Sequence, residues 1–147
     1  MIYIDGVKYT ESTNDYVQSA VVSYLNSWNV TVSTSGTTGK PKTFTHDSKL
    51  MTKIAEHNAD YFGLTSTSSM MALYNPRGIG FTSMSLYPCA VAQCDVFIET
   101  TVANYPDRIK EINPTHTLML PNVWKTWHRH NKWKDLDLSN MKQVQVG

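Results

Sequence analysis

Thr34-Ser35-Gly36-Thr37-Thr38-Gly39-Lys40-Pro41-Lys42 gathers two glycines, four hydroxyls and two lysines into nine residues. Glycine lets a backbone approach a ligand closely and take positive φ. Hydroxyls add donors that rotate, and lysines set positive charge against phosphate oxygens. The combination reads as a loop for holding a polyphosphate rather than as a plain surface turn. It is not a Walker loop. That motif needs a glycine five residues before the glycine of its Gly-Lys pair and a Ser or Thr after the lysine, where this chain has Thr34 and Pro41.

Outward from the loop, Asn29 to Ser33 reads as a β-branched strand entering it and Thr43 to Thr45 as the strand leaving it. Before these, Met1 to Tyr9 alternates about Asp5-Gly6, a two-residue hairpin signal. From Ser12 a cluster of capping residues precedes Tyr16, Val17, Ala20, Val21, Tyr24, Leu25 and Trp28, which form one helical face that should be core. After the loop, Asp47 or Ser48 caps a helix carrying Leu50, Met51, Ile54, Ala55, Asn58, Tyr61 and Phe62 until Gly63 stops it. The pattern then alternates. Met70 to Tyr74 is a strand, Asn75-Pro76-Arg77-Gly78 a break, and Gly80 to Ala92 a helix with a kink expected at Pro88. Asp95 to Thr100 is a strand, and Pro106 to Ile112 a helix with Asp107 in its first turn. Thr115 to Leu120 is a strand, Pro121 opens a helix bearing Val123, Trp124 and Trp127, and Gln143 to Val146 is the last strand. Alternating strands and helices predict an α/β fold, a mostly parallel sheet flanked by helices with an N-terminal β-hairpin.

The segment TSGTTGKPK resembles, residue for residue, the phosphate-binding signature of the adenylate-forming enzymes: acyl- and aryl-CoA ligases, luciferases and peptide-synthetase adenylation domains. Downstream residues extend the likeness. Thr43-Phe44-Thr45-His46 follows the loop, Asn113-Pro114-Thr115-His116 leads to Leu120-Pro121, and Asp137-Leu138-Ser139-Asn140-Met141 leads to Val144-Gln145-Val146-Gly147. The resemblance covers about residues 30 to 147. It implies a single partial AMP-binding domain over 1–147, with a hairpin and helix at 1–29 and a phosphate-loop core at 30–147.

Members of that family use ATP and Mg²⁺ to activate a carboxylate, often for transfer to CoA. By resemblance, Thr34, Ser35, Gly36, Thr37, Thr38, Gly39 and Lys40 would wrap the phosphates of ATP. Lys42 would face the pyrophosphate end, and Thr38 would help hold Mg²⁺. Arg77 stands where many members carry a His or aromatic residue near the acyl substrate, a departure that could offer a bidentate fork to a substrate carboxylate or simply lie on the surface. Gly147 matches the first glycine of the adenine-side pair. His46 coincides with a common family histidine but reads as a structural hydrogen-bonder, not a base.

Composition narrows the alternatives. One domain's worth of chain, 147 residues with 41% hydrophobic and 17% charged residues and a net charge of +1, carries no global field toward nucleic acid or an anionic membrane. The absence of a long apolar run or a signal-peptide start points to a cytoplasmic protein. Cys89 and Cys94 read as buried free thiols, and His116, His128 and His130 lack a ligand set for zinc. Lys125 to Lys134 mixes bases and aromatics as single-strand nucleic-acid sites do, but Trp124 and Trp127 fall on the buried stripe of a helix, which argues against nucleic acid.

Later family motifs are not among these residues: the second Gly and Ala beside adenine, the Tyr-Gly-x-Thr-Glu segment whose Glu binds Mg²⁺, the ribose-binding Asp, and the catalytic Lys of a small C-terminal domain. The sequence therefore predicts a domain that binds ATP phosphates yet is incomplete for catalysis alone, with a second chain as one way of completing it. The competing expectation is a non-catalytic binding or interaction module that retains half of the fold.

Overall fold

The computed structural model describes residues 1–9, 16–34, 39–75 and 79–146. The capping cluster at Ser12, loop residues Ser35 to Thr38, the Pro76-Arg77-Gly78 break and Gly147 lie outside the described residues.

Strands β1 (Ile2–Ile4) and β2 (Val7–Lys8) form the expected hairpin, with Ile4 opposite Val7. Asp5 and Gly6 take φ of 46° and 82°, the two left-handed residues that a tight hairpin turn with the right twist requires. The hairpin joins the main sheet, because β1 runs parallel beside β6 (Asp95–Glu99). β5 (Ser69–Leu73), β7 (His116–Met119) and β8 (Gln143–Val146) complete six strands in the order β2-β1-β6-β5-β7-β8, all parallel except β2.

Both faces of the sheet are covered, which is why β5 and β7 read as continuous runs rather than alternating ones. Met70 and Ala72 point into one cluster with Val21 of α1 (Tyr16–Ser27), Met51 and Ala55 of α2 (Ser48–Tyr61), and Tyr87 and Cys89 of α4 (Tyr87–Ala92). Met71 and Leu73 point into the other, with Tyr105 and Ile109 of α5 (Tyr105–Ile112) and Val123 and Trp127 of α6 (Pro121–Arg129).

Helix ends follow their sequence signals. Asp47 accepts a hydrogen bond from the Leu50 N–H at 2.8 Å, and Gly63 with φ +63° closes α2. Some expected core positions are corrected. Tyr16 is 79% exposed because Gln18 and Val21 face the sheet, and Tyr16 lies roughly 200° around the helix from Gln18. Leu50 and Tyr61, at the borders of the α2 stripe, are also exposed.

The expected kink at Pro88 takes another form. α3 (Ile79–Phe81) runs through a wide π turn, Thr82–Leu86, into α4. Pro88 has no N–H for the Met84 carbonyl, and one residue earlier the Tyr87 N–H bonds the Thr82 carbonyl in five-residue spacing. Ser83 Oγ donates to the Ile79 carbonyl at 2.8 Å and Ser85 Oγ to that of Phe81, back-bonding that favours widening. The Ser83 carbonyl, set free by the register change, accepts the Asn58 Nδ2–H at 2.7 Å.

Candidate functional site

The phosphate-loop signature is carried on a ribbon of its own. β3 (Val30–Thr34) and β4 (Lys42–His46) pair antiparallel apart from the six-stranded sheet, with Thr34 opposite Lys42 at the last rung before the loop. Val30 is buried in the core and Val32 packs against it, which anchors one face of the ribbon. On the other face Thr31 and Thr45 share a hydroxyl hydrogen bond of 2.9 Å. Gly39 has φ +83°, and a Cβ there would meet nothing within 4 Å, so its backbone faces open space. Lys40 and Lys42 are exposed beside it. A glycine open to approach next to two ammonium donors is a donor set suited to a polyphosphate. His46 sits half-buried opposite Val30, at the end of the ribbon away from the loop. Ser35, Gly36, Thr37 and Thr38, and with Thr38 the suggested Mg²⁺ contact, lie outside the described residues.

A second feature lies at the carboxyl ends of the parallel strands. After β5 the chain passes to the face holding α4, whereas after β6 and β7 it passes to the face holding α5 and α6. Connections that diverge from adjacent strands open a crevice, where α/β sheets place ligands. Here it is an apolar cavity of about 250 Å³ between Leu73 of β5, Leu118 and Leu120 at the end of β7, and Ile79, Phe81 and Met84 of the helix, with Asn75 as its amide. Arg77, between the lining residues Asn75 and Ile79 in sequence, lies outside the described residues, as does Gly147.

Gln145 was not singled out by its sequence, a polar residue in a short Gln-Val-Gln-Val strand. It pairs in register with the cavity residue Leu118, is 5% exposed, and neither Nε2 nor Oε1 has a hydrogen-bond partner among the described residues. A buried amide without a partner costs about 1–3 kcal/mol.

The other sequence candidates separate. His116 is fully buried, its Nδ1 2.8 Å from Thr115 Oγ1 and its Nε2 2.9 Å from the Phe62 carbonyl, and burial lowers its pKa. His128 and His130 are exposed, and no group of three His, Cys, Asp or Glu able to hold a metal occurs among the described residues. Trp133 packs against Trp124 and Trp127 with ring centroids 4.6 and 5.0 Å apart, so these rings are engaged with one another. A larger groove of about 700 Å³ lies between α5 and α6, with mixed charge from Asp107, Lys110, Lys132 and Asp135.

No protein-family profile matches the chain, and no curated protein matches it by sequence. Solved structures do match by fold. An acyl-CoA synthetase (AMP-forming)/AMP-acid ligase II-like protein from Dyadobacter fermentans aligns with a TM-score of 0.69 at 15% identity, over 94% of this chain and 40% of that one. A fatty acyl-adenylate ligase from L. pneumophila, in complex with acyl adenylate and pyrophosphate, aligns with a TM-score of 0.68 at 13% identity, over 80% and 22%. ATP-bound MatB from Rhodopseudomonas palustris gives 0.68 at 13% identity, over 80% and 23%. The chain thus spans between about a fifth and two fifths of the length of these structures. No helix among the described residues is long and apolar enough to cross a membrane. The α/β architecture, the parallel strand order and these alignments agree: the chain has a part of the adenylate-forming ligase fold.

Proposed function

We propose that this chain is the phosphate-holding portion of an adenylate-forming ligase, in which Thr34 to Lys42 binds the phosphates of ATP and the cavity at the ends of β5 and β7 receives the apolar part of a carboxylic acid. The observation that carries the reading is the order TSGTTGKPK on its own β-ribbon, in a fold shared with ligases solved with ATP and with acyl adenylate plus pyrophosphate. When bound, ATP with Mg²⁺ would supply the electrophilic α-phosphate and a pyrophosphate leaving group. This chain's part is charge and position. Lys40 and Lys42 oppose the negative charge of the leaving phosphates, Gly39 admits close backbone approach, and the hydroxyls of Thr34, Ser35, Thr37 and Thr38 add donors, with Thr38 toward Mg²⁺. Leu73, Phe81, Met84 and Leu118 exclude water around the acid, while Arg77 offers a fork for its carboxylate. CoA as acceptor, a second chain completing the domain and a cytoplasmic setting belong to the same proposal.

Three or four charge-assisted hydrogen bonds at about 1.5–3 kcal/mol each, set against an association cost of roughly 4–15 kcal/mol, leave the isolated chain an affinity near millimolar at best. The test titrates ATP, GTP and tripolyphosphate into wild type and a Lys42→Ala, Gly39→Val double variant, following amide shifts of residues 34–42. Similar shifts with all three ligands, lost in the variant, are expected; shifts centred on Trp124 to Lys134, or undiminished binding by the variant, would overturn the assignment. Carboxylate-dependent exchange of labelled pyrophosphate into ATP is expected to be absent for the chain alone. Triphosphate binding without exchange is equally the behaviour of a non-catalytic binding module, and exchange appearing on addition of the remaining ligase segments as a separate chain separates the two.

A further inference from the structure

Cys89, in the last turn of α4, and Cys94, just before β6, are five residues apart and belong to neither the ribbon nor the crevice. Gln93 between them takes a left-handed φ of 56°, folding the chain back so that the Cys94 N–H donates to the Cys89 carbonyl at 3.1 Å. A backbone bond of that length brings the two Cα atoms close together, within the roughly 4.4–6.8 Å that a disulfide can bridge. Both residues are free thiols and both are buried, at 1% and 4% exposure, in one wall of a cavity of about 240 Å³ shared with Met1, Leu25 and Gln93. The cavity gives a small, uncharged oxidant a route to sulfurs that macromolecules cannot reach. We propose that Cys89 and Cys94 form a peroxide-reactive dithiol, in which Cys94 reacts first with the peroxide and Cys89 resolves it to an intramolecular disulfide.

Their closeness gives the two thiols different roles. The neighbouring Cys89 thiol lowers the pKa of Cys94, whereas the neighbouring Cys94 thiol, then burial, raises that of Cys89. The Cys94 thiolate attacks one peroxide oxygen and the O–O bond breaks. With one proton taken up, this leaves Cys94 sulfenic acid and a molecule of water. The Cys89 thiol then displaces the hydroxyl as a second water and forms the S–S bond, so two electrons pass from the sulfurs to one hydrogen peroxide.

The experiment uses the reduced, folded full chain, one equivalent of hydrogen peroxide, and then iodoacetamide under denaturing conditions. Both cysteines fall in the tryptic peptide from Gly78 to Arg108, so the disulfide is read within one peptide. The expected result is that this peptide loses two hydrogens and takes up no alkyl group, reversibly with dithiothreitol. A wild-type peptide that still carries two alkyl groups, or that crosslinks between chains instead, overturns the proposal whether or not any variant folds. A Cys89→Ser variant should trap dimedone at Cys94, while dimedone capture at Cys89 in a Cys94→Ser variant with none at Cys94 in the reciprocal variant would reverse the roles and overturn the stated order.

Discussion

Arg108 donates its Nε–H to Glu99 across 2.9 Å, and the carboxylate it reaches is only 2% exposed. Burial raises the pKa of Glu99, with Arg108 acting in the opposite direction. A carboxyl whose folded pKa lies above its unfolded value contributes stability that is fully present below the unfolded pKa, near 4.5, and lost as pH rises through the folded one. Removing the guanidinium raises the folded value further. Arg108→Ala should therefore cost about 2–4 kcal/mol at pH 7, a figure reduced because Arg108 still touches solvent, and less at pH 5. Urea unfolding at both pH values checks this; equal losses would mean that Arg108 acts through packing alone.

Gly6 lies under the same guanidinium, and a Cβ there would stand 3.0 Å from Arg108 Nη2, whereas one on Gly63 would meet nothing within 4 Å. Both glycines have positive φ. Gly63→Ala should cost about 1–2 kcal/mol from the backbone alone, and Gly6→Ala more, since it also pushes Arg108 away from Glu99. Thermal melts of the two variants decide it. Equal costs would show that the guanidinium yields freely.

His116 gives the opposite pH signature. Burial, the main cause, holds its pKa below the ordinary 6.5. Its contribution is fully present above pH 6.5 and lost as pH falls through the lowered folded value, with a slope of up to about 1.4 kcal/mol per pH unit. His116→Gln should flatten the stability curve in that acid window, and an unchanged slope by denaturant titration would count against the buried neutral imidazole.

Trp133 Nε1 is buried without a hydrogen-bond partner among the described residues. Trp133→Phe sacrifices ring area but removes that orphan donor, so it should stay within about 1 kcal/mol of wild type, while Trp127→Ala should cost about 3–5 kcal/mol. Chemical denaturation reads both. A loss from Trp133→Phe as large as that from Trp127→Ala would indicate that the indole N–H has found a partner.

Gly80 tests the crevice. A Cβ at this cavity-lining residue would make only ordinary contact with Met84 Sδ at 3.9 Å, so Gly80→Leu should fit the fold and grow into the cavity. Octanoate-induced shifts at Leu73 and Leu118 should fall at least about tenfold, with tripolyphosphate shifts at the loop retained. Undiminished octanoate shifts would place the acid elsewhere.

Local signals carried much of the fold. Asp5-Gly6, Asp47 before α2, Gly63 after it and Pro121 opening α6 each act through one backbone angle or one hydrogen bond, so they can be read without knowing the neighbours. Which side of a helix meets the sheet is a tertiary matter. Gln18 rather than Tyr16 is buried for that reason, and Leu50 and Tyr61 fall outside the covered stripe. Of the candidate site, the loop's pattern is contiguous and can be read without the fold, although Ser35 to Thr38 lie outside the described residues. The crevice cannot be read so, since its lining comes from β5, β7 and the helix after β5, brought together only by strand order, and Gln145 looks like any polar strand residue until its register with Leu118 is known.

The wide turn at Thr82–Leu86 holds one residue more than an α-helical turn would need. Deleting a single residue there would restore ordinary winding and leave Ile79 and Phe81 in nearly the same phase relative to α4, because the extra residue is absorbed within the wide turn. The turn therefore works as a joint rather than a rotation: it hands the Ser83 carbonyl to Asn58 of α2 while the side chains before and after it keep their facing.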